Sequence, residues 1–280
     1  MCGRAAVRAP DALGDALLLG TTPRALRSTY PCARAMESAG QIIAIGGVIA
    51  PEDLALFPYI VAQARRSRPR VGYLPTASGD SDAFIAKFYQ HFSGLSCELS
   101  HLTLFDRVPA LEKYVPEQDV ILVSGGNTKS MLALWHGWGL NVLLREAWAA
   151  GAVLAGFSAG AICWFSEGLS DSWADRLAPV PGLDLIAGSC CPHYSNEPER
   201  RPASTHLIAR GEMRAGMGID DGAAVHFRGS RPAAVVAARA DANAYVVAVR
   251  SGTVAETVLE TERICVGHAP SAGSPRSPDG

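Results

Sequence analysis

The stretch Val153-Leu154-Ala155-Gly156-Phe157-Ser158-Ala159-Gly160-Ala161 decides the predicted fold. Its apolar start predicts a buried strand, and Gly156 and Gly160 bracket a serine at a sharp turn. The small residues after Ser158 predict the start of a helix. This strand–turn–helix order is typical of a nucleophile elbow, which exposes the serine hydroxyl above a sheet. The alternative is a tight turn in which Ser158 only caps the helix.

The same alternation of strands and helices extends along the chain. Further strands are predicted at Ile42–Ile45, Val71–Leu74, Leu102–Leu104 and Val120–Val123, and helices over Pro51–Arg65, from Asp80 to about Phe92, around Met131–Leu134, and from Asn141 to Ala150. This alternation predicts parallel βαβ units in a sheet covered on both faces. Strand candidates around Val225, Val235 and Val246 lie closer together, and they predict an antiparallel edge or hairpins that complete the same domain.

Length, composition and charge limit the class of protein that this chain can be. With 280 residues, of which 48% are hydrophobic, the chain can bury a core, and we expect one domain over residues 41–267. Residues 1–40 are predicted to be a weakly ordered extension and residues 268–280 a flexible tail. A net charge of −2 argues against a nucleic-acid partner. No apolar run reaches the length of a membrane span, so we expect no membrane partner and a cytoplasmic protein.

Seven scattered cysteines without a CxxC pair predict reduced thiols. Cys190, Cys191 and His193 lie close together, which raises the alternative of a metal site. Adjacent cysteines without a second cluster do not match the spacing of a zinc site. We therefore predict no metal site, and hydrolysis by an activated serine would need no organic cofactor either.

A serine nucleophile needs a base and a carboxylate that orients the base. His193 follows an apolar strand and a turn, which is where a base would lie at the carboxyl edge of a parallel sheet. Asp171 and Asp221 both lie in loop-like sequence, and the residue pattern alone does not choose between them.

Ser124-Gly125-Gly126-Asn127 also follows a predicted strand. Consecutive glycines let the backbone approach a substrate and present N–H groups to it. Such a turn could complete an oxyanion hole with the N–H group of Ala159, the residue after the serine. The competing interpretation is a phosphate-binding loop, but the sequence has neither a GxxxxG followed by Lys and Ser or Thr nor a GxGxxG motif. A third interpretation, an ordinary βα turn without a binding role, is also left open.

Four segments together resemble the peptidase E (aspartyl dipeptidase) and cyanophycinase family of serine hydrolases. They are Val123–Thr128, Gly156–Ala161, Cys191–Tyr194 and Gly218–Gly222. The resemblance covers about residues 41–260. It implies an α/β fold like that of class I glutamine amidotransferases, a flavodoxin-like three-layer sandwich with a mostly parallel sheet. Those amidotransferases carry a cysteine where this chain has Ser158.

The resemblance also implies roles for site residues. It makes Ser158 the nucleophile and His193 the base, with an oxyanion hole formed by Ala159 and either Gly125 or Gly126. The protein would then be a serine-type peptidase that cleaves a small peptide or isopeptide bond through an acyl-enzyme.

Two acidic positions match candidates for the third catalytic residue of this family. Asp171 is preferred, and Asp221 is second because the family often has the longer glutamate there. Peptidase E holds a substrate aspartate with an arginine beyond the histidine, so Arg200 and Arg201 are candidates for substrate binding, together with Asn127. The resemblance therefore favours an Asp-Xaa dipeptidase.

Other activities remain as alternatives. One is a cyanophycinase-like or other amide or ester hydrolase. An α/β-hydrolase esterase would need a late histidine, and His268 in the C-terminal tail is the candidate for it. A catalytically silent binding module on the same scaffold belongs to a different class. The predicted partner is a small peptide substrate, and a homodimer is left open.

Overall fold

The computed structural model describes residues 40–265. The predicted tail lies outside this range, and so does the predicted extension except for residue 40. Within the described range, strands and helices alternate through the first half and strands dominate the second half, so the chain has the predicted α/β class.

The elements have the following bounds. The strands are β1 (Gln41–Ile45), β2 (Arg70–Leu74), β3 (Glu98–His101), β4 (Val120–Val123), β5 (Val153–Phe157), β6 (Phe165–Trp173), β7 (Arg176–Pro181), β8 (Ile186–Pro192), β9 (Gly216–Ile219), β10 (Ala223–Arg228), β11 (Arg231–Ala237), β12 (Ala244–Arg250), β13 (Thr253–Val258) and β14 (Glu262–Arg263). The α-helices are α1 (Leu56–Ala62), α2 (Asp82–Phe92), α3 (Leu111–Tyr114), α4 (Thr128–Trp138), α5 (Leu140–Ala149), α6 (Ala159–Ile162) and α7 (Arg200–Ala209), and 3-10 helices cover Pro51–Ala55, Thr76–Ser78 and Val115–Glu117. In this described part, no helix is both long and apolar enough to cross a bilayer.

The first sheet contains the predicted parallel units. Its eight strands lie in the order β14-β11-β10-β1-β5-β4-β2-β3. The strands β1, β5, β4, β2 and β3 run parallel to one another, and β10 joins β1 antiparallel. Every residue of β4 is buried, as expected for an apolar strand covered on both faces.

A second, six-stranded sheet was not predicted. Its order is β13-β12-β9-β8-β6-β7, and β6, β8 and β9 run parallel at its centre. The apolar strand predicted before His193 and the strand candidate around Val246 belong to this sheet as β8 and β12, so Val246 does not lie at the edge of the first sheet as expected. The strand β6 was not predicted, because its Ser, Gly and acidic residues give no apolar run.

Apolar side chains hold these layers together. Helices α1 and α2 cover one face of the first sheet, with Leu56 and Phe88 in that core. Helices α4 to α6 and the second sheet cover the other face, where Trp135 and Trp164 are fully buried. Helix α7 packs on the outer face of the second sheet through Ile208. The second sheet is thus an addition to the predicted sandwich.

Some predicted boundaries are wrong. The strand placed at Leu102–Leu104 lies earlier, at β3, and the two leucines are buried just beyond it. Asp80 was expected to cap α2, but its carboxylate accepts the N–H groups of Leu104 (2.5 Å) and Phe105 (2.9 Å). Helix α5 begins after Gly139, one residue before the predicted cap Asn141. The changes at β3 and Asp80 reflect contacts between residues that are distant in sequence, which local propensity cannot report.

A buried histidine lies between the first sheet and α1. His226 is 2% exposed, with Nδ1 2.8 Å from Tyr59 Oη and Nε2 2.9 Å from Gln41 Oε1. Burial, with a smaller contribution from Arg228, lowers the pKa of His226 to about 4. The folded protein therefore favours the neutral imidazole.

We expect His226 to make folding stability depend on pH. Its pKa is lower in the folded chain than the ordinary value of 6.5, so its stabilising effect is complete above pH 6.5 and is lost as the pH falls towards 4. The free energy of unfolding should drop by about 2 kcal/mol from this group between pH 7 and pH 5. Urea titrations at the two pH values should show a smaller drop for His226→Gln. An identical drop in both proteins would contradict the assignment.

Candidate active site

Ser158 lies in the turn between β5 and α6, in a conformation that non-glycine residues rarely adopt. Its φ is +56° and its ψ is −115°, at a cost of about 1–3 kcal/mol. The flanking glycines make this turn possible. A Cβ on Gly156 would lie 2.2 Å from the carbonyl oxygen of Gly160, and one on Gly160 would lie 2.5 Å from that of Val123.

His193 directly follows β8 of the second sheet, and its φ is also positive, at +54°. Its Nε2 lies 2.9 Å from Ser158 Oγ, and its Nδ1 lies 2.5 Å from Asp221 Oδ1. The imidazole is 14% exposed and the Asp221 side chain 3%. The three side chains form a continuous line of hydrogen-bonding groups, with its serine end open towards solvent.

Asp221 lies in the short connection that takes the chain from β9 in the second sheet to β10 in the first. Its N–H group donates to Asn196 Oδ1 at 2.8 Å, and Arg239 Nη2 donates to its carbonyl oxygen at 2.5 Å. The next residue, Gly222, donates its N–H group to the Gly47 carbonyl oxygen at 2.9 Å. The turn is therefore fixed from both sheets.

A buried ion pair supports this turn. Arg239 Nε lies 3.1 Å from Oδ1 of Asp53, which is fully buried. The other carboxylate oxygen of Asp53 accepts the N–H groups of Ile49 and Ala50, both at 3.0 Å. A buried charge is tolerated when it is paired and hydrogen-bonded in this way.

Asp220, the neighbour of Asp221, holds the loop that carries His193. Its carboxylate accepts the N–H groups of Ser195 (2.9 Å) and Asn243 (3.0 Å). Sequence reasoning missed Asp220, Asn196 and the Arg239–Asp53 pair. The first two lie in or beside the segments that carried the family resemblance, whereas nothing in the sequence links Asp53 to Arg239.

Asp171, the preferred third residue, is not the carboxylate beside His193. It lies on β6 with its side chain 63% exposed, and it pairs with Arg200 Nη2 at 3.4 Å. The preference for Asp171 is therefore corrected, and Asp221 occupies the position beside the imidazole.

The two candidate arginines already have protein partners. Arg200 is almost fully buried, where it donates to Glu197 and, at 3.2 Å, to the carbonyl oxygen of Leu169. Arg201 pairs with Glu256 and lies over the rings of Tyr194 and Tyr245. This arrangement does not support the prediction that these guanidinium groups hold a substrate aspartate.

Both polar atoms of the Asn127 side-chain amide form hydrogen bonds within the protein. Its Oδ1 accepts the N–H group of Ser130 at 2.9 Å and so caps α4, while its Nδ2 donates to the Ser172 carbonyl oxygen at 3.1 Å. These contacts fix the turn after β4, so Asn127 acts on the geometry of that turn rather than as a free substrate ligand.

The two glycines before Asn127 have different surroundings. A Cβ on Gly125 would lie 3.2 Å from the Cβ of Ser158, so the Gly125 backbone borders the serine. Gly126 has a φ of +133° and packs against the carbonyl oxygen of Ala77. Ala159, the first residue of α6, has an N–H group with no acceptor inside the helix. Gly125 and Ala159 thus border the hydroxyl.

The cysteine pair considered as a metal site is buried in β8. Burial raises the pKa of the Cys191 thiol to about 12 and that of Cys190 well above its ordinary value. Both ring nitrogens of His193 face Ser158 and Asp221. Over residues 40–265, no group of three or more His, Cys, Asp or Glu side chains is arranged to hold a metal ion.

Comparison with known proteins identifies the family. The family described as Peptidase family S51 matches residues 42–235. The chain belongs to peptidase family S51. Over 223 residues, this S51 peptidase is 47% identical to an uncharacterized peptidase of Bacillus subtilis (strain 168), YgaJ, with 78% of this chain and 96% of YgaJ covered.

Solved structures of similar proteins show the same fold. A peptidase from an acI-B1 Actinobacterium matches this S51 peptidase with a TM-score of 0.59 and 22% identity, over 80% of this chain and 95% of that one. A peptidase E protein from Listeria monocytogenes EGD-e matches with a TM-score of 0.53 and 18% identity, over 79% and 100% of the two chains.

Gly47 offers a test of the site geometry. A Cβ there would lie 2.0 Å from Asp221 Oδ1 and 2.7 Å from His193 Cε1. We expect Gly47→Ala to displace the imidazole and to slow labelling of Ser158 by a fluorophosphonate about 100-fold. The matched control is Gly94→Ala, since a Cβ at Gly94 would meet open space. Equal labelling rates in the two folded variants would contradict the geometry.

Proposed function

We propose that Ser158, His193 and Asp221 act as a catalytic triad that hydrolyses a small peptide or isopeptide bond through an acyl-enzyme. The unbroken line of contacts from the serine hydroxyl to the buried carboxylate carries this proposal. In such a line the histidine can take the hydroxyl proton, and the carboxylate can orient the imidazole. Membership of peptidase family S51 supports the same reaction class.

The reaction follows from the roles of the three groups. Ser158 Oγ attacks the substrate carbonyl carbon while its proton passes to His193 Nε2. The resulting oxyanion accepts hydrogen bonds from the N–H groups of Gly125 and Ala159. His193 then gives the proton to the leaving amine as the C–N bond breaks, and an ester on Ser158 remains. A water molecule hydrolyses this ester with His193 again as the base.

The surroundings of Asp221 suit an orienting role. Its carboxylate is almost fully buried, so its attraction for a protonated His193 is weakly screened by solvent. An aspartate is shorter than the glutamate expected from the resemblance. The turn compensates for this difference, because contacts to Asn196, Arg239 and Gly47 hold its backbone close to the histidine.

The short α6 adds little helix dipole to the site, because Ala159–Ile162 forms only one turn. Stabilisation of the oxyanion is therefore assigned to individual N–H groups. The aspartate preference implied by the resemblance has no free arginine to support it at Arg200 or Arg201. Location in the cytoplasm and a homodimeric state stay predictions.

Fluorophosphonate labelling followed by peptide mapping tests the nucleophile. We expect the label on Ser158 in the wild-type protein and its loss in Ser158→Ala, while His193→Ala should slow labelling by about 100-fold or more because the general base is absent. Circular dichroism should confirm that all three proteins are folded. No label on a folded wild-type protein would favour a silent binding module.

The two carboxylates form a matched pair for the second test. We expect Asp221→Asn to lower kcat/KM for a cleaved peptide by about 1,000-fold or more, because the amide no longer fixes the imidazole or stabilises its charged form. Asp171→Asn should stay within about threefold of wild type, because the Asp171 carboxylate is largely exposed and remote from His193, and Arg200 keeps Glu197 and the Leu169 carbonyl oxygen as partners. The reverse ranking would restore Asp171 as the third member.

A further inference from the structure

An apolar cleft opens beside Ser158, on the face of the first sheet that α1 and α2 cover. We infer that it is a specificity subsite, which receives an aromatic or branched aliphatic side chain from a substrate residue next to the scissile amide. This inference rests on the proposed peptidase function and names the substrate class of the same site.

The cleft is large enough for one such side chain. Its volume is about 370 Å³, and it lies at the carboxyl ends of β2, β4 and β5. Tyr73, Leu122 and Phe157 contribute from these three strands, and Phe84 and Phe88 contribute from α2. Ligands of parallel α/β sheets bind outside the carboxyl ends of the strands, where this cleft lies.

Two contacts join the cleft to the reacting groups. Phe157 precedes Ser158, and its ring carbons lie 3.3 Å from the position of a Cβ on Gly125. On the opposite side, Val48 lines the cleft and follows Gly47, which abuts Asp221 and His193. The cleft is therefore lined by the chain neighbours of Ser158 and of Gly47, on the side of the proposed triad where a substrate residue next to the scissile bond could enter it.

The chemistry of the cleft selects apolar groups. No acidic side chain lines it, and its basic lining residues are the exposed Lys87 and the half-buried His91, which stacks on Phe57. Ile49 is 64% exposed and Phe84 37% exposed, so both present apolar surface that an apolar ligand would cover. A substrate aspartate placed deep in the cleft would lose hydration without gaining an arginine partner.

Cleavage of matched dipeptides tests the inference. One series places Ala, Leu, Phe or Asp before the scissile bond, with Ala after it, and a second series reverses this order. In one of the two series, we expect Leu or Phe to raise kcat/KM at least about 10-fold over Ala and over Asp, as burial of one apolar side chain allows. The responding series shows which side of the scissile bond enters the cleft.

A pair of surface variants provides the structural control. Phe84→Asp introduces a carboxylate at the cleft, whereas Phe105→Asp makes the same change at an exposed phenylalanine that does not line it. We expect Phe84→Asp to lower the ratio of kcat/KM for the Leu or Phe substrate to kcat/KM for Ala-Ala about 10-fold. Phe105→Asp should leave this ratio unchanged.

The outcomes separate the subsite from the mechanism. If Ser158 is labelled in a His193-dependent manner but Ala, Leu and Phe substrates react equally, the subsite is wrong and the triad stands. A preference for Asp, or equal effects of the two Phe→Asp variants, also overturns the subsite. If the folded wild-type protein neither labels nor cleaves any dipeptide, the proposed function fails and the subsite fails with it.

Discussion

The site depends on one constraint, which is the short crossing from β9 to β10 between the two sheets. Ser158 belongs to the first sheet and His193 to the second, so their separation is set by how the sheets are joined. The crossing carries Asp220, which holds the histidine loop, and Asp221, which contacts the imidazole. This crossing between the sheets therefore also aligns the three proposed catalytic groups.

The buried Asp53–Arg239 pair extends this constraint to the cleft. Arg239 holds the carbonyl oxygen of Asp221, while Asp53 holds the N–H groups of Ile49 and Ala50 in the cleft wall. Removing Arg239 would leave the fully buried Asp53 carboxylate without its charged partner, which is far more costly than losing an exposed pair. One ion pair thus supports both the orienting carboxylate and a wall of the cleft.

The sequence predicts the parts of this arrangement that are local. The β5–α6 turn, the parallel strands and the glycine turn after β4 are encoded by short patterns, so their positions could be predicted from apolar runs and glycine spacing. The second sheet could not, because the strand before His193 and the strand around Val246 do not show in their sequence which sheet they join, and β6 has no apolar run. Nor could the choice of Asp221 over Asp171, since it depends on which loop reaches His193 across the two sheets.

The same limit applies to the arginines predicted to bind the substrate. The sequence does not show whether an arginine beyond the histidine already has an ion-pair partner. In the structure, the Arg200 side chain is 2% exposed and forms ion pairs with Glu197 and Asp171. To bind a substrate carboxylate, it would have to release partners that offset the cost of its own burial. The apolar cleft carries no such cost, because a substrate side chain entering it displaces water from surfaces that are already partly exposed. The proposed subsite would therefore discriminate between substrates by burial of an apolar side chain, and it needs no ion pair at Arg200 or Arg201.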